Sequence, residues 1–434
     1  MKIYTYPSKA AETRLRRIEN RSIGFRKQDI TRVNRILKKV SKEGDAALID
    51  YTRRFDSKNV TPATMKLSPQ EINAARQMVD KSFMRALNRA ARQIMAFHQK
   101  QLQQSWISTD REGVLLGQLV HPVDTAGIYV PGGKEGKTPL VSTVLMCAIP
   151  AVLAGVNRVC MLTPPMTNGD VNPHLLVAAK KAGVHEIFKA GSAWAIAAMA
   201  YGTQTIPKAD VIVGPGNIYV TLAKKLVSGD VGIDMLAGPS EILILADDSA
   251  EPAFIAADLL SQAEHDVLAS AILVTTSTKI AEQVAIALAE QIASLPRKSI
   301  AAESLAKYGA VLKVADLPTA IDFANRIAPE HLELQIKDPF EFIGKIRNAG
   351  AVFIGSHTPE PVGDYMAGPN HVLPTAGTAR HASALSVDHF IKKTSLIHYA
   401  ETPFRKEAAD IMELAKVEGL DAHVRSVGIR LKAR

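Results

Sequence analysis

The sequence predicts an α/β protein with two doubly wound parallel sheets, and three observations predict it. From about Val123 onward, short β-branched runs ending in Gly or Pro alternate with Ala-rich stretches of helical length, the pattern of parallel strands wound with helices. The composition is 47% hydrophobic and 22% charged with only 5% aromatic residues, a palette of Ala, Val, Ile and Leu that suits strands buried on both faces. At 434 residues the chain exceeds what one core serves, and about 150 residues per domain implies several units.

The elements follow in order. TRLRRIENRSIGFRKQDITRVNRILKKVSKEGDAALIDYTRRF carries helical periodicity through Ile30, Val33, Ile36, Leu37 and Val40, with its charges on the other faces. The strand TAGIYV leads into PGG and then a helix through LVSTVLMCAIPAVLAG, with Thr138 as N-cap and Pro139 at the first helical position. RVCMLTPP, the helix NPHLLVAAKKAG, EIFKAG, the helix SAWAIAAMAYG, ADVIVGPGN and the helix IYVTLAKKLVSG complete one unit. A second unit reads EILILADD, the helix EPAFIAADLLSQAEHDVLAS, AILVTTS, the helix KIAEQVAIALAEQIASL, AVLKV, the helix LPTAIDFANRIAP and the strand AVFIGS. Two helices, RKEAADIMELAKVEG and LDAHVRSVGIRLKAR, close the chain, and no repeat or low-complexity linker interrupts it. The expected layout is a helical segment at 1–26, a first α/β domain in two parts at 27–130 and 239–385, a second α/β domain inserted at 131–238, and a helical segment at 386–434.

A net charge of +9 raises the possibility of a nucleic-acid partner, so its distribution matters. Residues 1–60 hold 16 Lys and Arg against 7 Asp and Glu, and the remainder balances at 36 against 36. That N-terminal surplus sits on a helix without low complexity or aromatic interleaving, which reads as a solvated face. The first residues have no signal-peptide character, the expectation is a cytoplasmic protein, and the uncharged run from Pro139 to Asn157 reads as a buried helix rather than a membrane span. Cys147 and Cys160 lie in apolar runs and form neither a disulfide framework nor a metal pair.

VPGGKEGKTPL, residues 130–140, comes near a phosphate-binding P-loop but fails it: the first glycine of that spacing falls on Pro131, which has no N–H. YVPGG and VGPGN both lie where strands meet helices; tight turns alone explain them, as does a pair of glycine turns facing one ligand cleft. GPGNIY is no dinucleotide fingerprint, since Tyr219 stands at the third glycine. Gln262 and His265, three apart, share one helix face in this reading. Seven of the twelve histidines fall at 331, 357, 371, 381, 389, 398 and 423, with Asp364 in a Gly/Pro-rich loop. His and carboxylate from separate elements suit a divalent metal. The neighbours Glu330 and His331 suit stepwise proton transfer if the chain bends there, and a satisfied helix end otherwise.

YVPGG, VLMCAIPA, AYGTQTIPKADVIVGPGN, VGIDMLAGPSEILILAD, AADLLSQAEHD, APEHLEL, GDYMAGPNHVLPT and EGLDAH together resemble the histidinol dehydrogenase family, from the N-terminal helices to the tail. The resemblance implies two incomplete Rossmann-like domains and a homodimer using zinc and NAD, which oxidises L-histidinol to L-histidine in two hydride transfers through an enzyme-held aldehyde. It implies zinc ligands at Gln262, His265 and Asp364, joined by His423 of the partner subunit, a general base at His331 and a water-activating Glu330. It further implies substrate contacts at Ser240 and at Glu418 of the partner subunit, beside the zinc ligands and His331, and NAD contacts at Tyr129 and Asn217. The family's glutamine in GGAQAIA is replaced here by Trp194 of GSAWAIA, which lacks the amide's donor and acceptor pair. The competing readings are a dehydrogenase of another small polar alcohol, a P-loop phosphotransferase opposed by Pro131, and a basic nucleic-acid-binding protein resting on the N-terminal surplus alone.

Overall fold

A computed structural model describes residues 1–21, 24–133 and 138–432; Lys134 to Lys137, the core of the near P-loop, lie outside the described residues. In chain order the strands are β1 (Ile3–Thr5), β2 (Trp106–Arg111), β3 (Val114–Pro122), β4 (Thr125–Tyr129), β5 (Arg158–Thr163), β6 (Glu186–Lys189), β7 (Val211–Val213), β8 (Gly232–Ile233), β9 (Glu241–Ala246), β10 (Ser270–Thr275), β11 (Ala310–Lys313), β12 (His331–Gln335), β13 (Ala351–Ile354) and β14 (Ile391–Tyr399).

Two sheets are parallel throughout. The larger has the order β1-β11-β10-β9-β12-β13, the smaller β6-β5-β4-β7-β8, the latter drawn wholly from residues 125–233. Because side chains alternate across a strand, each sheet divides its residues between two cores. In β9, Ile242, Ile244 and Ala246 pack with the helix Pro252–Ala263, while Leu243 and Leu245 pack with the helices Lys9–Glu19 and Leu317–Ile327. In β5, Val159 and Met161 face the helix Val141–Leu153, and Cys160 and Leu162 face the helices Lys27–Glu43 and Ser192–Tyr201. The helix Lys27–Glu43 buries Val33, Ile36, Leu37 and Val40 and leaves Arg32, Arg35 and Lys38 exposed.

Loop anchoring prepares the crevice over the smaller sheet. Gly214, just past β7, has φ 114°, and a Cβ there would lie 2.1 Å from the Tyr129 carbonyl oxygen, so only glycine fits without strain. Its N–H donates to Asp234 Oδ2 at 2.8 Å and its carbonyl accepts from Lys224 Nζ at 3.0 Å. Lys224 and Asp234 also form an ion pair whose side chains are 3% and 0% exposed.

The chain forms two compact units, Met1–Gln101 with Val123–Phe390, and Leu102–Pro122 with the chain from Ile391 onward. The second unit holds an antiparallel sheet, β14-β3-β2, and the helices Glu401–Val417 and Asp421–Lys432. Within it, Tyr399 donates to Glu407 Oε2 at 3.1 Å, and Arg111 bonds both.

Several sequence expectations are corrected. The segment 1–26 contains β1 as well as a helix, because IYT completes the edge of the larger sheet beside β11. The segment from 386 onward contains the nine-residue strand β14, whose partner is distant in sequence. Thr138 is not an N-cap: the helix begins at Val141, and a Cβ on Gly133 would meet the Thr138 carbonyl at 2.4 Å. The helix Pro252–Ala263 stops before His265, so Gln262 and His265 do not share a helix face.

Candidate active site

The site grows from β12. Its sequence HLELQ alternates, and Leu332 and Leu334 enter a hydrophobic core, so His331, Glu333 and Gln335 point to the opposite face, buried at 4%, 1% and 3% exposure. The helix Pro252–Ala263 supplies Asp258 and Gln262, four apart and both buried.

Glu241, first residue of β9, holds both neighbours, Glu330 and His331, through its backbone. Its backbone N–H donates to Glu330 Oε2 at 3.0 Å, and its carbonyl lies 2.9 Å from His331 Nδ1. Glu330 Oε2 and His331 Nδ1 are then 3.8 Å apart. With Nδ1–H given to a carbonyl, the lone pair of His331 is at Nε2, 3.9 Å from Glu360 Oε1. Hydrogen-bond satisfaction turns the Gln262 amide nitrogen toward Glu360 Oε2 and the Glu241 carbonyl, each at 3.2 Å, and to 3.1 Å from His331 Nδ1, which that same carbonyl approaches more closely at 2.9 Å. Glu241 is itself fixed by Arg21, whose side chain is 1% exposed and 2.6 Å from Glu241 Oε1.

Burial dominates the electrostatics. It pushes His331 down to about 4, helped by the positive fields of His265 and His371, so this imidazole is neutral at ordinary pH. Burial pushes Glu330 well up, and Glu241, Glu360 and Asp364 add like-charge repulsion. Glu360 rises to about 8 for the same two reasons. Burial raises Glu333 to about 9, with repulsion from Asp258 adding to it, and raises Asp258 to about 6.

His331, Glu360 and Asp364 bring one donor atom each within 4.8 Å of one another. Imidazole nitrogen and carboxylate oxygen are the donors of a borderline divalent cation, and carboxyls that raise one another's pKa are what a cation would relieve. The residues fit a metal. His265 is outside this cluster, exposed in the turn after the helix, though its charge still acts on Asp364. Beside the cluster lies a cavity of about 300 Å³ lined by Phe97, His98, His331, Phe353, Asp364 and His371.

A second crevice, about 480 Å³, opens over the carboxyl ends of the smaller sheet, as expected for ligands of open α/β sheets. Tyr129, Gly132, Ser192 and Asn217 line it. The Tyr129 hydroxyl accepts from the Ser192 N–H at 3.0 Å, and Asn217 caps the helix Ile218–Val227 by accepting from Tyr219 N–H at 3.0 Å. Trp194 is 6% exposed and its indole stacks on the chain's own Tyr51 and Phe55, at ring distances of 5.8 and 5.4 Å. The flat partners available to that indole are therefore protein side chains.

The histidinol dehydrogenase family model matches residues 20–431. This chain belongs to that family. The histidinol dehydrogenase of Desulfotalea psychrophila is 54% identical over 400 residues, 92% of each chain. That of Thermosynechococcus vestitus is 51% identical over 419 residues, 96% of each. The crystal structure of histidinol dehydrogenase from Elizabethkingia anophelis matches with a TM-score of 0.93 at 40% identity, covering 100% of this chain and 98% of that one.

Among the other residues singled out from the histidinol dehydrogenase resemblance, Ser240 immediately precedes β9, its carbonyl accepting from Ser270 N–H at 3.0 Å. Glu418 ends the helix Glu401–Val417 and His423 lies on the helix Asp421–Lys432; both are exposed in the second unit. Cys147 and Cys160 are free and buried; burial raises both thiols, Cys160 to about 12, so neither is poised as a nucleophile. Sequence reasoning missed Arg21, Glu241, Asp258, Glu333 and Glu360, and gave His371 no role beyond its place among seven C-terminal histidines. The polar alternation of HLELQ was the available signal for Glu333; the others depend on long-range packing.

Proposed function

We propose that this histidinol dehydrogenase family member oxidises L-histidinol to L-histidine, the last step of histidine biosynthesis, in two successive NAD-dependent hydride transfers. The observation that supports this most is the pairing of His331 and Glu330 on Glu241, with His331 Nε2 facing the carboxylates Glu360 and Asp364. In the first transfer the alcohol proton goes to His331 Nε2 as hydride leaves for NAD, giving the aldehyde. In the second, water adds to the aldehyde, Glu330 takes a water proton, and a second hydride leaves for a second NAD. Positive charge at the cluster favours the ionised Glu330 that this step needs, by opposing the repulsion from Glu360 and Asp364.

Gln262, His265, Asp364 and His423 of the partner subunit would hold zinc, which supplies when bound a positive anchor for the substrate's imidazole and amino nitrogens. Ser240 and Glu418 of the partner subunit orient the substrate. Tyr129 and Asn217 contact NAD, and Trp194 stands at the family's glutamine position, where it lines the adjoining crevice with Phe55 and Ser192. A homodimer is supported by the exposed apolar residues of the unit that carries Glu418 and His423, including Ile397 at 69%, Leu414 at 68% and Val417 at 79% exposure. Among the described residues no helix is long and apolar enough to cross a membrane, and the reading places the enzyme in the cytoplasm.

Counting NADH against a limiting amount of L-histidinol tests the assignment. Two NADH per substrate are expected, abolished by a chelator and restored by zinc. One NADH, or activity confined to other alcohols, would assign a different substrate to the same scaffold.

A further inference from the structure

The smaller sheet has the order β6-β5-β4-β7-β8, so its first strand is central and the winding reverses between β4 and β7, where Tyr129 and Asn217 stand. In dinucleotide-binding sheets of this order, an acid near the end of the second strand receives the hydroxyls of the adenosine ribose. Here the second strand is β5, which runs out through Thr163, Pro164 and Pro165 and offers no acid. The third, β6, ends in Lys189, Ala190 and Gly191.

A carboxyl nevertheless lies over those two strand ends, delivered from outside the sheet. Asp56 follows the helix Asp45–Phe55, and a Cβ on Gly191 would lie 3.1 Å from Asp56 Oδ2 and 2.9 Å from Pro164 Cβ. The absence of a side chain at 191 is what lets the carboxyl settle between β5 and β6. Asp56 lines the same crevice as Tyr129, Pro164, Ser192 and Asn217. Its Oδ2 is buried, and the donors nearest the carboxyl, the Gly191 N–H and the Trp194 indole N–H, stabilise its charged form without closing a full hydrogen bond on Oδ2. An unsatisfied buried acceptor in a crevice is a place where hydroxyl donors belong. Burial raises this carboxyl to about 7 against the lowering effect of the Gly191 N–H and the Trp194 indole, so further donors from a ligand would favour its charged form.

We propose that Asp56 accepts the hydroxyls of the cofactor's adenosine ribose and thereby sets a preference for NAD over its 2′-phosphorylated form. The proposal rests on the NAD reading above. A 2′-phosphate would meet a carboxylate in a partly dehydrated crevice, where like charges repel. The opposite preference has its own structural footing: Arg32, Arg35 and Arg54 line the adjoining crevice beyond Phe55 and Ser192, and a phosphate directed there would be welcomed.

The test is steady-state kinetics at saturating L-histidinol with NAD, NADP and NAD carrying a 2′-deoxyadenosine. For the unaltered enzyme, kcat/KM is expected to fall roughly ten- to a hundredfold for each of the two modified cofactors. In Asp56→Asn and Asp56→Ser, KM for NAD should rise by a similar factor, KM for L-histidinol should hold, and NAD and its deoxy analogue should become nearly equal. An unaltered enzyme that uses NADP as readily as NAD overturns the proposal in favour of the arginines. So does a variant that loses the same factor with all three cofactors, since that is loss of packing around Trp194 and not of a ribose contact. If L-histidinol yields no NADH at all, the functional reading fails instead, and calorimetric binding of NAD and NADP to the unaltered protein and Asp56→Asn still decides the ribose assignment.

Discussion

Replacing His331 with glutamine is expected to lower kcat by roughly 10² to 10⁴-fold while the protein keeps its fold. The size follows from what the side chain does. Its Nδ1–H is committed to the Glu241 carbonyl, so Nε2 alone is left to take a proton, and burial keeps it unprotonated at neutral pH. Glutamine can imitate the hydrogen bond but has no basic nitrogen. The contrast is Glu330→Gln, which should leave the first hydride transfer fast and stall the second, because only the second needs a proton taken from water. Single-turnover NADH traces separate the two variants: a slow first phase for His331→Gln, and a rapid first NADH without a prompt second for Glu330→Gln. Equal slowing of the first phase in both would assign the alcohol proton to some other group.

The Lys224→Met variant should lose about 3–5 kcal/mol of folding stability, measured by denaturant unfolding with the metal retained. Lys224 and Asp234 are an ion pair closed off from solvent, and the lysine also donates to the Gly214 carbonyl. Methionine fills the volume but leaves Asp234 charged, buried and uncompensated. The residue at stake is larger than the pair, because Asp234 also binds the N–H of Gly214, whose backbone touches Tyr129. The variant should therefore weaken NAD as well. Unaltered stability would mean that Asp234 takes up a proton or water without cost.

The sequence made the α/β plan legible because buried parallel strands write themselves as unbroken apolar runs, and EILILA and RVCMLT became β9 and β5. It hid β14 and its antiparallel partners, since the register of Ile391 against Pro122 joins segments more than 260 residues apart, which no local period records. It hid β12 for the opposite reason. HLELQ carries alternating polarity, which reads as a half-exposed strand or loop, whereas here both faces are buried and the polar one belongs to the site. The Glu330–His331 pair was visible, but its convergence was not, because it depends on the backbone of Glu241. Glu418 entered only through the family resemblance, and His423, though one of seven C-terminal histidines, took a role only through it; nothing in a helical tail marks either.

Glu241 gives the N–H on one side of its α-carbon to Glu330 and the C=O on the other to His331. Two different oxidations are thus gauged from a single residue on a central strand. A disturbance reaching that residue, such as one transmitted from Arg21, shifts both reacting groups together and leaves their relative timing intact. Aldehyde release competes with the second oxidation alone, so slowing both steps together would raise the fraction of aldehyde that escapes while overall turnover falls. The anchoring of Glu241 by Arg21 is therefore what guards a reactive intermediate against leaking.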